Sequence, residues 1–408
     1  MCFLSVLLLT AAIGVLLLSM TTTIAALNIS ADERRELSTD LTLWQKKFGN
    51  DDHVRTVTAS ANVTHNALLG RLKAAKDKLP ALRAANPYAT FSHLTKFALL
   101  TDKEFAQFAS EASPGVLPSP GHLASAARLN RSAPVGGVIV DTVDWTTPPS
   151  CVPPVQYKGK CASNWAIAAA AAVSTTHCLA TSEIINLSAQ LTTSCAYPGG
   201  PDGCQGAGIA QDAMRWLVSQ SKSLCAESAI PYTSGGTGSA PFCSDNTKCA
   251  GTISLRAGPI MTMNGEDALA RQLQLQPVVA YVTTLNNVWK MYTGGIVSWC
   301  PPTVYVDQAM LVVGYGTEAV DDGTKSVGFF KVRNAWGTDW GERGHIRLQR
   351  GLNRETGTCK LAMYLAYSVL PSSRRSDATA GAIPHTPTMT TRGERAPTTQ
   401  PTIDVEGA

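Results

Sequence analysis

Three short stretches carry residue types and spacings suited to nucleophilic chemistry. Lys158-Gly-Lys-Cys-Ala-Ser-Asn164-Trp165 reads as a nucleophile turn opening onto an alanine-rich helix. A helix N-terminus favours negative charge, so a thiolate placed there is stabilised. Asn164 stands at that point, and a carboxamide has no lone pair basic enough to attack a carbonyl at neutral pH. The other two stretches are Val306-Asp307-Gln308-Ala309, ahead of Val313-Gly-Tyr-Gly316, and Asn334-Ala-Trp336-Gly-Thr-Asp-Trp340-Gly.

The elements that must position these groups fall into two halves. Asn164 to Thr176 holds an alanine run of strong helix propensity, and Ala210 to Ser221 is amphipathic around Met214, Trp216 and Leu217. Strand text follows at Val278–Thr283, Met310–Tyr315, Gly328–Val332 and Gly344–Leu348, with Gly-rich turns between. Helices followed by strands predict an α+β fold of two lobes with a cleft between them.

The chain has 408 residues, 44% of them hydrophobic, and a net charge of +4, with no basic run that would suit nucleic acid. Residues 1–26 have the form of a secretory signal: Phe3 to Met20 is almost wholly apolar and Ile24-Ala25-Ala26 offers small residues for cleavage. The n-region lacks Lys and Arg, which leaves an uncleaved anchor as the alternative. No other run is long enough to span a bilayer. Ten cysteines remain after Cys2, an even number that favours disulfides in an oxidising compartment; their spacings give no paired zinc-ligand pattern, and no cofactor is implied. Asn28, Asn62, Asn130 and Asn186 open N-x-Ser/Thr sequons, although Asn186 also suits a helix cap.

Residues 27–132 carry helical, cysteine-free text, including Leu68, Leu69, Leu72, Leu79 and Leu82 among Lys and Arg. A Pro-Gly-Ser stretch around Ser113–Pro120 has the composition of a linker open to cleavage. Residues 133–371 hold the remaining cysteines and all three stretches. Residues 372–408, rich in Thr, Pro, Ser and Arg, have too little apolar surface to fold and predict a disordered tail of the kind that carries O-glycans.

Taken in order, the three stretches resemble the papain family of cysteine peptidases, and within it the cathepsin L-like enzymes of trypanosomatids (cruzipain and brucipain). Asn86-Pro-Tyr-Ala-Thr-Phe91, Thr101-Asp-Lys-Glu-Phe105, Val143-Asp-Trp145, Asn186-Leu-Ser188 and Tyr292-Thr-Gly-Gly295 add to the likeness, which covers roughly residues 86–370. The resemblance implies a papain-like two-lobed fold, one lobe helical and one β-barrel-like, behind an N-terminal helical pro-region of the inhibitory type. By motif position the nucleophile falls on Asn164, the base on Gln308, the residue that orients the base on Asn334 and the oxyanion glutamine on Lys158. Only Asn334 matches the family. Groups that act as a unit lose most of their activity when any one goes, so the chain is expected to be inactive.

The bland reading of each replacement is that Asn164 caps its helix, Gln308, neutral and able to hydrogen-bond, sits beside Asn334 without a charge cost, and Lys158 is a solvated surface charge. Cys161, Ser163, His177 and His345 are the nearest substitutes for the missing chemistry. Cys161 is expected in a disulfide, Ser163 has no base, and the two histidines map away from the cleft. The resemblance pairs Cys161 with Cys204, Cys195 with Cys243 and Cys300 with Cys359; Cys151, Cys178, Cys225 and Cys249 could form two more bridges in three ways.

Trp165, Gly206, Ala207, Trp336 and Trp340 are the expected cleft residues. Ala207 adds a methyl where family members expose bare glycine backbone to the substrate, and Ile209 and Tyr364 serve either an apolar subsite or the core. The pro-region's helical motif survives weakly as Asp51, Arg55, Ala59, Asn62 and Asn66, and an aspartate implicated in acid-triggered processing in relatives aligns with Leu99. Three functions follow. One is an inactive homologue that binds peptides, pro-segments or peptidase inhibitors in a kept cleft. Another is an active secreted or lysosomal endopeptidase with displaced groups. The third is a surface or host-interaction protein on a papain scaffold. The expected partner is a peptide or protein ligand, with no nucleic acid, no membrane once the signal is cleaved, and a monomeric state, in a lysosome-like compartment or outside the cell.

Overall fold

The computed structural model describes residues 29–51, 55, 63–109, 140–196, 203–205, 208–220, 224–243, 253–303 and 305–371, together with the backbone of Thr388–Thr390. The expected signal, the Ser113–Pro120 linker and the remainder of the tail lie outside these residues.

Helix α1 (Ala31–Phe48) starts where Ser30 Oγ accepts the Glu33 N–H at 3.2 Å, with acids in its first turn and lysines in its last, the order a helix dipole favours. Thr64 caps α2 (His65–Ala85) in the same way through Ala67 N, at 3.2 Å. The leucines spaced along α2 meet Leu37, Leu41, Trp44 and Phe48 of α1 in one core, as their periodicity predicts. Strand β1 (Ala89–Phe91) and helix α3 (Asp102–Ala109) complete this N-terminal segment.

After β2 (Thr142–Asp144), helix α4 (Asn164–Thr181) runs through one lobe, buried from Asn164 to Cys178. Its alanines let α5 (Ala189–Cys195) and α6 (Ala210–Ser219) approach closely. The short α7 (Ser234–Thr237) follows, then β3 (Ile260–Met263), α8 (Glu266–Leu273), β4 (Val278–Val282), α9 (Asn287–Met291), β5 (Tyr292–Val297), β6 (Gln308–Val320), β7 (Lys325–Arg333), β8 (His345–Gln349), β9 (Leu365–Ser368) and β10 (Thr388–Thr390). The strands run β1-β5-β8-β7-β6-β4-β9-β3, with β2 on β6; β5 and β8 pair in parallel and the other pairs are antiparallel. All four predicted strands are present. Strand β6 extends beyond its predicted span at both ends because it pairs along its length with β2, β4 and β7.

Alternation along β4 and β6 explains how one sheet serves both lobes. Val278, Ala280, Val282, Met310 and Val312 face the core shared with the N-terminal segment. Val279, Tyr281, Ala309, Leu311 and Val313 face the helical lobe around α4. Within the tail expected to be disordered, Thr388–Thr390 pairs antiparallel with β2, because the edge of a short strand accepts backbone partners whatever the side chains.

Candidate active site

Ser163, rather than Asn164, holds the cap position of α4. Ser163 O accepts the N–H groups of Ala166 and Ile167, both at 3.0 Å, and Asn164 is the first helical residue. The Ser163 hydroxyl does not cap the helix; it bonds the Tyr232 hydroxyl at 2.5 Å. Asn164 is thereby free to point across the lobe junction, where its Nδ2 donates to Asn334 Oδ1 at 3.5 Å. Asn334 Oδ1 also accepts its neighbour's N–H, that of Ala335, at 2.7 Å. The sequence thus brings the expected nucleophile position and the expected orienting residue into contact, amide to amide.

Gln308 opens β6 and is fully buried, yet neither end of its carboxamide has a partner among the described residues. Gln308 is expected to sit beside Asn334 without a charge cost, and no hydrogen bond joins the two side chains among the described residues. Asn164 Oδ1 and Asn334 Nδ2 are also unpaired. Each such buried polar atom costs about 1–3 kcal/mol. All three side chains are neutral amides, which do not ionise near neutral pH. Beside Gln308, Asp307 turns the other way and accepts from Thr284 N and Oγ1 at 2.8 and 2.6 Å. Burial pushes its carboxyl up to about 6 despite those donors, and it ties the start of β6 to the turn after β4.

Trp165 is buried behind the helix start, its Nε1 donating to Gly203 O at 3.2 Å. Gly208, which directly follows Ala207, lies against that indole. A Cβ there would come within 2.1 Å of the ring, so only glycine fits. Gly206 and Ala207 themselves lie outside the described residues. Ile209 and Tyr364 are half-buried on the helical lobe's side.

Lys158 overturns its expectation most clearly. It is 1% exposed, with Nζ donating to the Phe108 carbonyl oxygen at 2.5 Å and lying 4.2 Å from the centre of the Phe108 ring. A lysine is buried only when its ammonium is paired, and here the partner comes from the N-terminal segment, 50 residues away in sequence. Trp336 and Trp340 are likewise enclosed rather than lining an open cleft. Phe97, Phe105 and Phe108 pack on the Trp336 ring at 5.3, 5.7 and 5.7 Å. Trp340 stands edge-on to Trp336 at 5.0 Å and stacks on Trp289 at 5.8 Å. Phe105 belongs to the Thr101–Phe105 motif read from the sequence, whereas Phe97 and Phe108 were not singled out. Phe105 and Phe108, three apart on a helical stretch, were the available signal.

Neither histidine of the central block reaches this site. His177 Nδ1 accepts from Arg256 N at 2.9 Å, deep on α4. His345 sits on β8 beside a cavity of about 560 Å³ lined by Asp144, Lys331, Arg343 and Arg347 among others, none of them a candidate-site residue. Burial, then the charges of Lys331 and Arg333, push His345 down to about 4. The unfolded chain therefore takes up a proton before the native one as pH falls below 6.5, and stability is lost on acidification. At 1.36 kcal/mol per pKa unit, about 2 kcal/mol should go between pH 7 and pH 5. Urea melts of the wild type and of His345→Gln at the two pH values check this; the variant should lose that much less stability than the wild type, and equal losses would remove His345 as the cause.

The expected disulfides Cys161–Cys204, Cys195–Cys243 and Cys300–Cys359 are formed. Cys151 pairs with Cys178, which selects one of the three open connectivities. Cys225 is also disulfide-bonded, so every cysteine among the described residues is oxidised; Cys249 lies outside them. At the other expected helix cap, Asn186 is displaced by Ser188, whose Oγ accepts Leu191 N at 2.9 Å, leaving Asn186 exposed.

Comparison with known proteins places this geometry. The family profile described as papain family cysteine protease matches residues 139–369. Cysteine proteinase A of Leishmania mexicana is 31% identical over 310 residues, covering 76% of this chain and 78% of that protein. Cysteine protease 1 of Oryza sativa is 32% identical over 229 residues, 56% of this chain but only 44% of its own length. Among solved structures, the proform of the ragweed pollen cysteine protease Amb a 11 superposes with a TM-score of 0.66 at 21% identity, over 84% of this chain and 96% of that one. Digestive procathepsin L 3 of Tenebrio molitor gives 0.59 at 21% identity, over 80% and 99%. Both are precursor forms, and the α+β papain-like architecture read from the sequence is the fold they share with this chain.

Proposed function

Because this chain belongs to the papain family of cysteine proteases, we propose that it is an inactive member, whose kept cleft binds polypeptide without cutting it. The polypeptide is its own pro-segment, a peptide or a peptidase inhibitor. One observation carries this reading. At the helix start facing Asn334 stands the Asn164 carboxamide, in a chain whose described cysteines are all in disulfides. Cysteine-protease chemistry needs a thiolate and a base within hydrogen-bond reach of one another. Gln308 cannot accept and return a proton, and Lys158 is engaged with Phe108. The disulfides fit a site in the secretory pathway, lysosome-like or extracellular.

An assay of the purified full-length protein with fluorogenic peptide substrates, at pH 5 and pH 7, tests the proposal. The expected rate is that of buffer alone. Turnover abolished by substituting one particular cysteine would instead support an active peptidase with displaced groups.

A further inference from the structure

A junction between residues 29–109 and the rest of the chain contains more bonding than the proposed loss of catalysis calls for. It is built from three kinds of contact. The first is backbone pairing: β1 adds antiparallel to the edge of β5, Ala89 opposite Gly295 and Phe91 opposite Tyr292. Gly295 permits it, with φ at +78° and room for no side chain, since a Cβ would lie 2.3 Å from Tyr88 O. The second is a common core, in which the phenylalanines of the segment surround Trp336. The third is a set of three buried lysines that bond across the junction.

The lysines use unusual acceptors. Lys158 donates to Phe108 O, and Lys290 to Leu100 O, with Asp102 Oδ1 at 3.4 Å. From the segment's side, Lys96 donates to Trp336 O at 2.8 Å and to Asp339 Oδ1 at 2.9 Å. Each therefore has a peptide carbonyl as partner, and a carbonyl does not titrate between pH 5 and 7. Lys158 is the one of the three that stands at an expected catalytic position.

We propose that residues 29–109 are a permanent part of this protein, held by these three ammonium-to-carbonyl bonds, and that they stay bound after the chain is cut in the linker and after acidification to pH 5. The proposal names the occupant of the site described above and to that extent rests on the reading of that site as a binding site. The charged groups at the junction are consistent with it. Burial pushes the Lys290 ammonium down to about 8, which leaves it charged below neutrality. Burial alone would raise the Asp102 carboxyl, but Lys78 and Lys290 outweigh it and hold the group below its ordinary value. Asp51 receives the Tyr157 hydroxyl at 3.0 Å and lies 3.6 Å from Lys96. Glu342 receives Gly295 N at 2.9 Å and is also gripped by Arg347. Lys78 reaches Asn287 at 3.3 Å, and Lys325 reaches the Tyr88 hydroxyl at 2.5 Å. His93 pairs inside the segment, with Asp40 at 2.7 Å. Leu99, aligned with the acid-responsive aspartate, is buried and apolar, and only its carbonyl is engaged, by Arg71 at 2.9 Å.

The test uses the full chain with a site-specific protease sequence inserted between Ser113 and Pro120. After complete cutting, the N-terminal fragment should co-elute with the body in size exclusion at both pH 7 and pH 5. Separation at pH 5, with tryptophan fluorescence showing the body still folded, would overturn the proposal. Lys158→Met, which removes the ammonium, should speed dissociation of the cut fragment at least about tenfold, and an unchanged rate would remove the lysine bond as the cause. Retention and turnover fail independently. Peptide cleavage by the cut complex would refute the inactive reading alone, and loss of the fragment would refute the permanent junction alone.

Discussion

Replacing Trp336 with alanine is expected to cost about 4 kcal/mol of stability, the upper range for a fully buried aromatic. Its indole is the common neighbour of Phe97, Phe105 and Phe108 from the N-terminal segment and of Trp289 and Trp340 from the β lobe. Truncation would open a cavity between the N-terminal segment's phenylalanines and the β lobe's tryptophans. Close packing of this kind cannot collapse around the gap, because β1–β5 pairing holds the layers at their present spacing. Urea unfolding compares this variant with Trp299→Ala, whose side chain is 44% exposed and whose loss should stay within about 0.5 kcal/mol. Similar shifts for the two would contradict the central place given to Trp336.

The second large effect is a gain. Asn164→Cys, Gln308→His and Lys158→Gln, made singly, should each leave peptide turnover at background. Combined, they should raise it by roughly a thousandfold over any single variant, since such groups act as a unit. The frame for that chemistry is still in place. An 18-residue helix begins at position 164, Asn334 lies within 3.5 Å of that residue, and position 308 opens the longest strand among the described residues. The lysine substitution acts twice, because it removes a cation from the expected oxyanion position and a bond from the junction with Phe108. Steady-state assays with a fluorogenic peptide read the outcome. If the triple variant stays silent while its disulfides and melting curve match the wild type, the cleft itself has been reshaped, and Ala207 is the first residue to revert to glycine.

What could be read from the sequence was what depends on order and period. The alanine run announced α4, and alternation announced the strands that place Gln308 and Asn334. Three disulfide pairings followed from the resemblance. What could not be read depends on residues distant in sequence. A lysine is ordinarily exposed, and nothing near Lys158 in the chain says otherwise; its burial is decided by a carbonyl at Phe108. Gln308 suits a place beside Asn334 because it is neutral, but nothing near it in sequence shows that its own amide is buried without a partner among the described residues, or that Asn334 Oδ1 is claimed by Asn164 and by a backbone N–H. Asn164 has the side chain of a helix cap, yet the cap falls one residue earlier, because Ser163 is pulled toward Tyr232. Gly208 and Gly295 look like ordinary loop glycines until an indole and a neighbouring strand are brought against them.

An inactive family member has no reactive thiol at the start of α4, and every cysteine among the described residues is in a disulfide. Intact-mass analysis of the native full-length protein, after incubation with an epoxide that alkylates the catalytic cysteine of papain-like enzymes, tests it most directly. The account predicts an unchanged mass, with the Asn164→Cys/Gln308→His/Lys158→Gln variant gaining one adduct under the same conditions. A stoichiometric adduct on one cysteine of the native protein would contradict it.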